Sequence, residues 1–118
     1  MRVTGSILGR RVGLAQIAAA WVNFDGTGTI AARRSLNIGS LTDNGGTGDY
    51  TLTFTRPLTA TAYTVAGIHT DAGAGLQGVV QVHQNTLPGL SSVTIQSVAN
   101  AGGLRDDATI CVAVMGRI

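Results

Sequence analysis

Trp21-Val22-Asn23-Phe24-Asp25-Gly26-Thr27-Gly28-Thr29-Ile30, followed by Thr42-Asp43-Asn44-Gly45-Gly46-Thr47-Gly48-Asp49-Tyr50-Thr51-Leu52, decides the fold class. Each half is an extended run broken by glycine, aspartate and asparagine. Those residues tolerate the positive φ that tight turns need, and β-branched residues do not. In the second half Tyr50, Leu52 and Phe54 alternate with Asp49, Thr51, Thr53 and Thr55. A period of two with one polar face is a strand with one side in a core.

The same rhythm continues outward. Strand-like runs fall at about 20–24, 29–38, 49–55, 62–69, 78–84, 92–98 and 109–115. Turn signals between them include Asp71-Ala72-Gly73-Ala74-Gly75, Leu87-Pro88-Gly89 and Asn100-Ala101-Gly102-Gly103. Short strands at this spacing predict a sandwich or barrel. Ile110, Val112 and Val114 oppose Thr109, Cys111 and Ala113, and Val80 and Val82 oppose Gln81 and His83. In the 29–38 run Ile30, Ala32, Leu36 and Ile38 share a face with Arg34, which predicts an arginine at the sheet edge, one that snorkels or one that pairs across a subunit boundary, the last two preferred. Pro57 and Pro88 fit strand ends or turns. The expectation is an all-β chain, one small antiparallel β-sandwich of about seven strands over residues 20–118, with a short N-terminal arm over 1–19.

Composition agrees. The 118 residues suit one domain. Apolar residues make up 44 % and aromatic residues 4 %, with 17 glycines, so the core rests on aliphatic side chains and five rings. Trp21, Phe24, Tyr50, Phe54 and Tyr63 are the expected core aromatics. All eight cations are Arg and all six anions Asp, with no Lys and no Glu. Those two missing residues are strong surface-helix formers, which argues against exposed amphipathic helices. A charged content of 12 % is about half the usual level, and the mean hydropathy is positive. Such a chain is expected to cover much of its surface with other subunits. Arg33, Arg34, Gln81 and His83 are the candidate subunit-interface residues.

The net charge of +2 and the pI near 9.3 reflect small numbers. Arg10-Arg11 and Arg33-Arg34 make no basic stripe, so nucleic-acid binding is not expected. No 18-residue apolar run exists for membrane insertion. Residues 10–20 have the charge-then-apolar order of a signal peptide, but Gly13 and Gln16 interrupt a short apolar stretch. Residues 12–20 fit a short helix or an extended segment equally. Ile7, Leu8, Arg10, Arg11, Val12, Leu14 and Ile17 are the candidate anchoring residues of the arm.

Catalytic chemistry is nearly silent. A phosphate loop needs a Lys the chain lacks, and Gly26-Thr27-Gly28 leads into a strand rather than the helix of a dinucleotide fold. His69-Thr70-Asp71 and His83 invite a Ser-His-Asp reading, without a nucleophile elbow. Two histidines and Cys111 fall short of a zinc set. Cys111, in an apolar run, reads as a buried small hydrophobe. In a trimer, Gln81 or His83 could ring an axial ion. Asp43, Asp49, Asp71, Asp106 and Asp107 read as turn carboxylates rather than glycosidase pairs. Asp106-Asp107 lacks an EF-hand spacing for calcium. Neither an enzyme nor a cofactor or metal is expected.

Over roughly residues 20–70 the chain resembles a module of tailed-bacteriophage virion proteins of the tail-fibre-like type. The resemblance rests on Ala20-Trp21-Val22-Asn23-Phe24-Asp25-Gly26-Thr27-Gly28-Thr29, then Arg33-Arg34-Ser35-Leu36-Asn37-Ile38, then the 43–54 hairpin and Ala62-Tyr63. The hairpin carries an extra glycine, and only 20 residues precede the motif. The resemblance implies a virion structural protein without catalytic residues. It would be a small tail-fibre or tail-tip subunit, homotrimeric, bound to other tail or capsid proteins and meeting a host surface glycan through loops 43–48, 71–77 and 100–107. Capsid decoration is the alternative, and a free carbohydrate-binding module a third reading.

Overall fold

The computed structural model describes residues 18–71, 76–99 and 102–118, with the side chains of 71, 76 and 77 outside that description. The candidate anchoring residues between Ile7 and Ile17, and parts of loops 71–77 and 100–107, lie outside it too. Among the described residues the fold is all-β, without a helix. Eight antiparallel strands form one nearly closed sheet: β1 (Ala20–Asp25), β2 (Ala31–Leu36), β3 (Ile38–Asp43), β4 (Asp49–Phe54), β5 (Thr64–Asp71), β6 (Leu76–Val82), β7 (Ser92–Ala99) and β8 (Thr109–Met115). Their order in the sheet is β2-β1-β8-β5-β6-β7-β4-β3. The meander β5-β6-β7 has β8 beside its first strand and β4 beside its last, a Greek-key arrangement.

The count exceeds the expected seven because the 29–38 run does not continue as one strand. It breaks at Asn37, whose φ is 56°, and the chain resumes as β3. Before the break the chain pairs with β1, and after it with β4, so the two ends of the sheet are joined by a single residue. Asn37 suits that left-handed conformation, and its side chain fastens the corner. Its Nδ2 donates to Ala19 O at 3.1 Å and Arg56 O at 3.0 Å, and its Oδ1 accepts from Arg56 N at 2.7 Å. The break also sets the side of the sheet on which Arg34 lies. A register shift between Asn23 and Phe24 and the turn at Asn37 separate it from the apolar set: Ile30 and Ile38 pack on the core, while Arg34 and Leu36 lie opposite Asn23 and Trp21 on the outside.

The core follows the alternation. Val22 and Phe24 of β1, Tyr50, Leu52 and Phe54 of β4, Val80 of β6, Val93 and Ile95 of β7, and Ile110, Val112 and Val114 of β8 are buried. The Phe24 and Tyr50 rings meet edge to face with centroids 5.1 Å apart, and Phe54 and Tyr63 do the same at 6.2 Å. Tyr63 is partly buried against this cluster. Trp21 departs from its expected place. With Ala20, Val22 and Phe24 pointing inward, the odd residues of β1 must point out, and Trp21 sits half-buried on the outer face. Pro57 and Pro88 both fall in connections between strands.

Candidate functional site

Two groupings bear on function: a polar cluster at one end of the sheet, centred on a buried histidine-carboxylate pair, and an open apolar groove on the outer face. The cluster is built around His69, which β5 points inward and which is 1 % exposed. Its Nδ1 meets Asp107 Oδ2, and its Nε2 lies 2.8 Å from Val98 O. The Asp107 carboxylate, equally buried, also accepts from Arg105 Nε at 3.1 Å. Beside it, Asp106 Oδ1 accepts from Gly48 N at 2.6 Å and from the Tyr50 hydroxyl at 2.7 Å, with Gly26 O 3.0 Å from the same hydroxyl. Burial first, then the hydrogen bond and charge of Asp106, push the Tyr50 phenol well above its ordinary range. Burial alone raises Tyr63.

The histidine-carboxylate pair is formed with Asp107, 38 residues on; the Asp71 side chain lies outside the described residues. The second ring nitrogen of His69 faces a backbone carbonyl rather than, among the described residues, a serine hydroxyl. Ser97 Oγ is the one buried side-chain atom without a partner among the described residues. Asp107 engages both carboxylate oxygens and Asp106 its Oδ1 within the protein, and no group of three metal-ligating side chains occurs among the described residues. The cluster ties the 104–108 segment to the ends of β4, β5 and β7.

Of the other described carboxylates, Asp43 and Asp25 fasten their own turns. Asp43 Oδ1 accepts from Gly45 N at 3.0 Å in the expected Asx turn, and Asp25 Oδ1 does the same for Thr27 N at 2.9 Å. Hydrogen bonds from the Thr27 side chain and backbone, and then the Arg33 charge, hold Asp25 below the usual carboxylate range. Asp49 is not in a turn but opens β4, where His83 Nε2 approaches it at 3.4 Å. Asn85 N donates to His83 Nδ1, so the ring proton sits on Nε2 and points at Asp49.

The four candidate interface residues do not converge. Arg33 bonds Asn23 Oδ1 at 3.0 Å and Ala108 O, and Arg34 stands exposed beside it on β2. Gln81 bonds Gln96 across the β6–β7 pair at 3.0 Å, with β1, β8 and β5 lying between β2 and β6.

The open groove has a volume of about 590 Å³ and runs over β1, β8 and β5. Trp21 and Asn23, Cys111 and Ala113, and Ala66 and Ile68 line it. Strand pairing sets them in two rows: Trp21, Ala113 and Ala66, then Asn23, Cys111 and Ile68, with Val79 of β6 continuing the second row. Ile68 is 62 % and Val79 55 % exposed. Cys111 is thus half-buried on the outside rather than a core residue, held by a 3.4 Å contact from Asn23 Nδ2. The opposite outer face is polar, with Thr51 and Thr94 hydroxyls 3.0 Å apart. The signal for the groove is in the sequence: Thr109–Met115 carries apolar residues on both faces, which a strand with one wet face does not need.

Comparison with protein families, with curated proteins and with solved structures finds no match.

Proposed function

We propose that the chain is a non-enzymatic virion structural protein of a tailed phage, a small tail-fibre or tail-tip subunit that works as an assembly of copies. Two features support this reading: the motif running through residues 20–54 and Ala62-Tyr63, and the apolar groove around Trp21, which the other described residues leave open. The groove carries the argument, because exposed apolar rows on a chain so poor in charge suit a surface made for contact. In this reading the domain is a homotrimer seated on tail proteins through the segment before β1, and the 43–48 turn faces the host surface. The mechanism is mechanical, by rigid projection and multivalent contact with a surface glycan.

Capsid decoration is the second reading, since the same sandwich could repeat over a capsid. A free carbohydrate-binding module is less supported. Sugar platforms expose rings, and of the five here only Trp21 lies on an outer sheet face, beside aliphatic groups rather than polar ones. Quantitative mass spectrometry of purified virions tests the proposal. A few to a few tens of copies per particle fit a tail position, a number near that of the capsid protein moves the chain to decoration, and absence from virions removes both.

A further inference from the structure

The His69 ring is 1 % exposed, and its two nitrogens point at two different partners. Nδ1 meets Asp107 Oδ2, and Nε2 lies 2.8 Å from Val98 O. A backbone carbonyl can only accept a hydrogen bond, and so can an ionised carboxylate. A neutral imidazole has one N–H and one bare nitrogen. In either tautomer a bare nitrogen would therefore face an oxygen lone pair in a buried site, where an unmade bond is costly. Both contacts become hydrogen bonds when the pair holds one proton more than a neutral ring and a carboxylate. That count is the same whichever of the two residues carries the proton.

The surroundings leave this requirement in place. Gly78 of β6 and Ile110 of β8 flank the ring and bring no polar side chain. Arg105 Nε donates to the other Asp107 oxygen at 3.1 Å. Asp106 Oδ1 takes Gly48 N and the Tyr50 hydroxyl of β4, and Arg33 reaches Ala108 O from β2. The side chains of Asp71 and Gln77 lie outside the described residues. What the pair holds is the 104–108 segment, in which Asp107 is the one buried residue. That segment in turn holds two turns: Gly26 N donates to Asp107 O at 2.9 Å and Gly48 N to Asp106 Oδ1 at 2.6 Å, while Arg105 N bonds Ser97 O at 3.0 Å.

We infer that the His69–Asp107 pair is a proton-dependent latch: it fastens the 104–108 segment while it keeps its extra proton, and loss of that proton to solvent at alkaline pH frees the segment and the two turns bonded to it. An unfolded chain, with histidine titrating at about 6.5, has given that proton up at mildly alkaline pH, so the closed form weakens as pH rises. The latch belongs to the domain in any role and does not rest on the virion reading.

Amide hydrogen exchange in the native full-length chain, from about pH 6 to about pH 9, tests it. The amides of Gly26, Gly48 and Arg105 are expected to lose protection as pH rises, by about tenfold per pH unit once the proton is gone, while those in the middle of β8 keep theirs. Asp107→Asn is the informative variant. Its amide oxygen can accept from Arg105 Nε, and its amide nitrogen can donate to Nδ1 of a neutral ring whose Nε2–H serves Val98 O. Every contact is then made without the extra proton, so the three latch amides are expected to stay protected through the same range. Proton spectra of the native chain give a second readout that needs no variant. They are expected to show two slowly exchanging protons at the His69 ring, one in each contact, lost together as the latch amides open. Native latch amides whose protection ignores pH, or that open only with the whole sheet, overturn the inference. So does a folded Asp107→Asn chain that follows the native profile or is unprotected at every pH, and so does a single ring proton while the native latch is closed.

Discussion

Asn37 shows how much one residue decides. It is the only non-glycine described residue with positive φ, and it holds three stretches of chain at the corner where the sheet closes. Asn37→Ala loses those bonds and places a Cβ-bearing residue without asparagine's local bonding in a left-handed conformation, for an expected loss of about 3 kcal/mol in denaturant unfolding. Asn37→Gly recovers about 1 kcal/mol of that, the backbone part. Tyr50 and Tyr63, the two tyrosines of the chain, give a pH-dependent signature. Both are raised in the folded state, Tyr50 by burial and Asp106 and Tyr63 by burial. A group raised on folding keeps its full contribution below its unfolded value, near 10, and loses it as pH climbs beyond that. Absorbance at 295 nm is expected to show neither phenol ionising freely near pH 10, with phenolate appearing together with unfolding at higher pH. The alternation around Tyr50 was legible in the sequence. The acceptor for its hydroxyl was not, because Asp106 lies 56 residues away and only folding brings it near.

At the scale of strands, alternation predicts which side faces in but not what covers the side facing out. Tyr50, Leu52 and Phe54, and Ile110, Val112 and Val114, all point inward as their spacing requires. The same rule applied to β1 places Trp21 outside, since three inward positions are taken by Ala20, Val22 and Phe24. A ring's size favours burial, but parity within a paired strand is fixed by the hydrogen-bond ladder and overrides it. Strand β6 shows the converse case of a missing side chain. A Cβ at Gly78 would strike Val98 O of β7 and the His69 ring of β5. Gly78→Ala is expected to destabilise the domain by about 3 kcal/mol, read by thermal unfolding, because neither obstacle is the free end of a flexible chain. The buried His69–Asp107 pair depends on this gap, and no spacing in the sequence announces it.

Across the whole molecule the two outer faces differ in chemistry. The β4–β7 side is a ladder of hydroxyls and amides, and the β1–β8–β5 side is aliphatic around Trp21. Ile68→Asp on the open face is expected to leave the unfolding free energy within about 0.5 kcal/mol, since the side chain is mostly in water. It is also expected to reduce any self-association seen by light scattering, whereas Val112→Asp, one register position inward, abolishes folding. The sequence by itself determined the all-β class, the turns at 25–28 and 43–48 and the inward set of most strands. Those follow from side-chain period and from the φ tolerance of Gly, Asn and Asp, which are local properties. Tertiary structure alone decided that one run would split at Asn37 to join both edges of the sheet, that His69 would find Asp107, and that Trp21 and Cys111 would share an outer groove. Those depend on which strands become neighbours, and neighbours in a Greek-key sheet are chosen by long-range pairing rather than by adjacent residues.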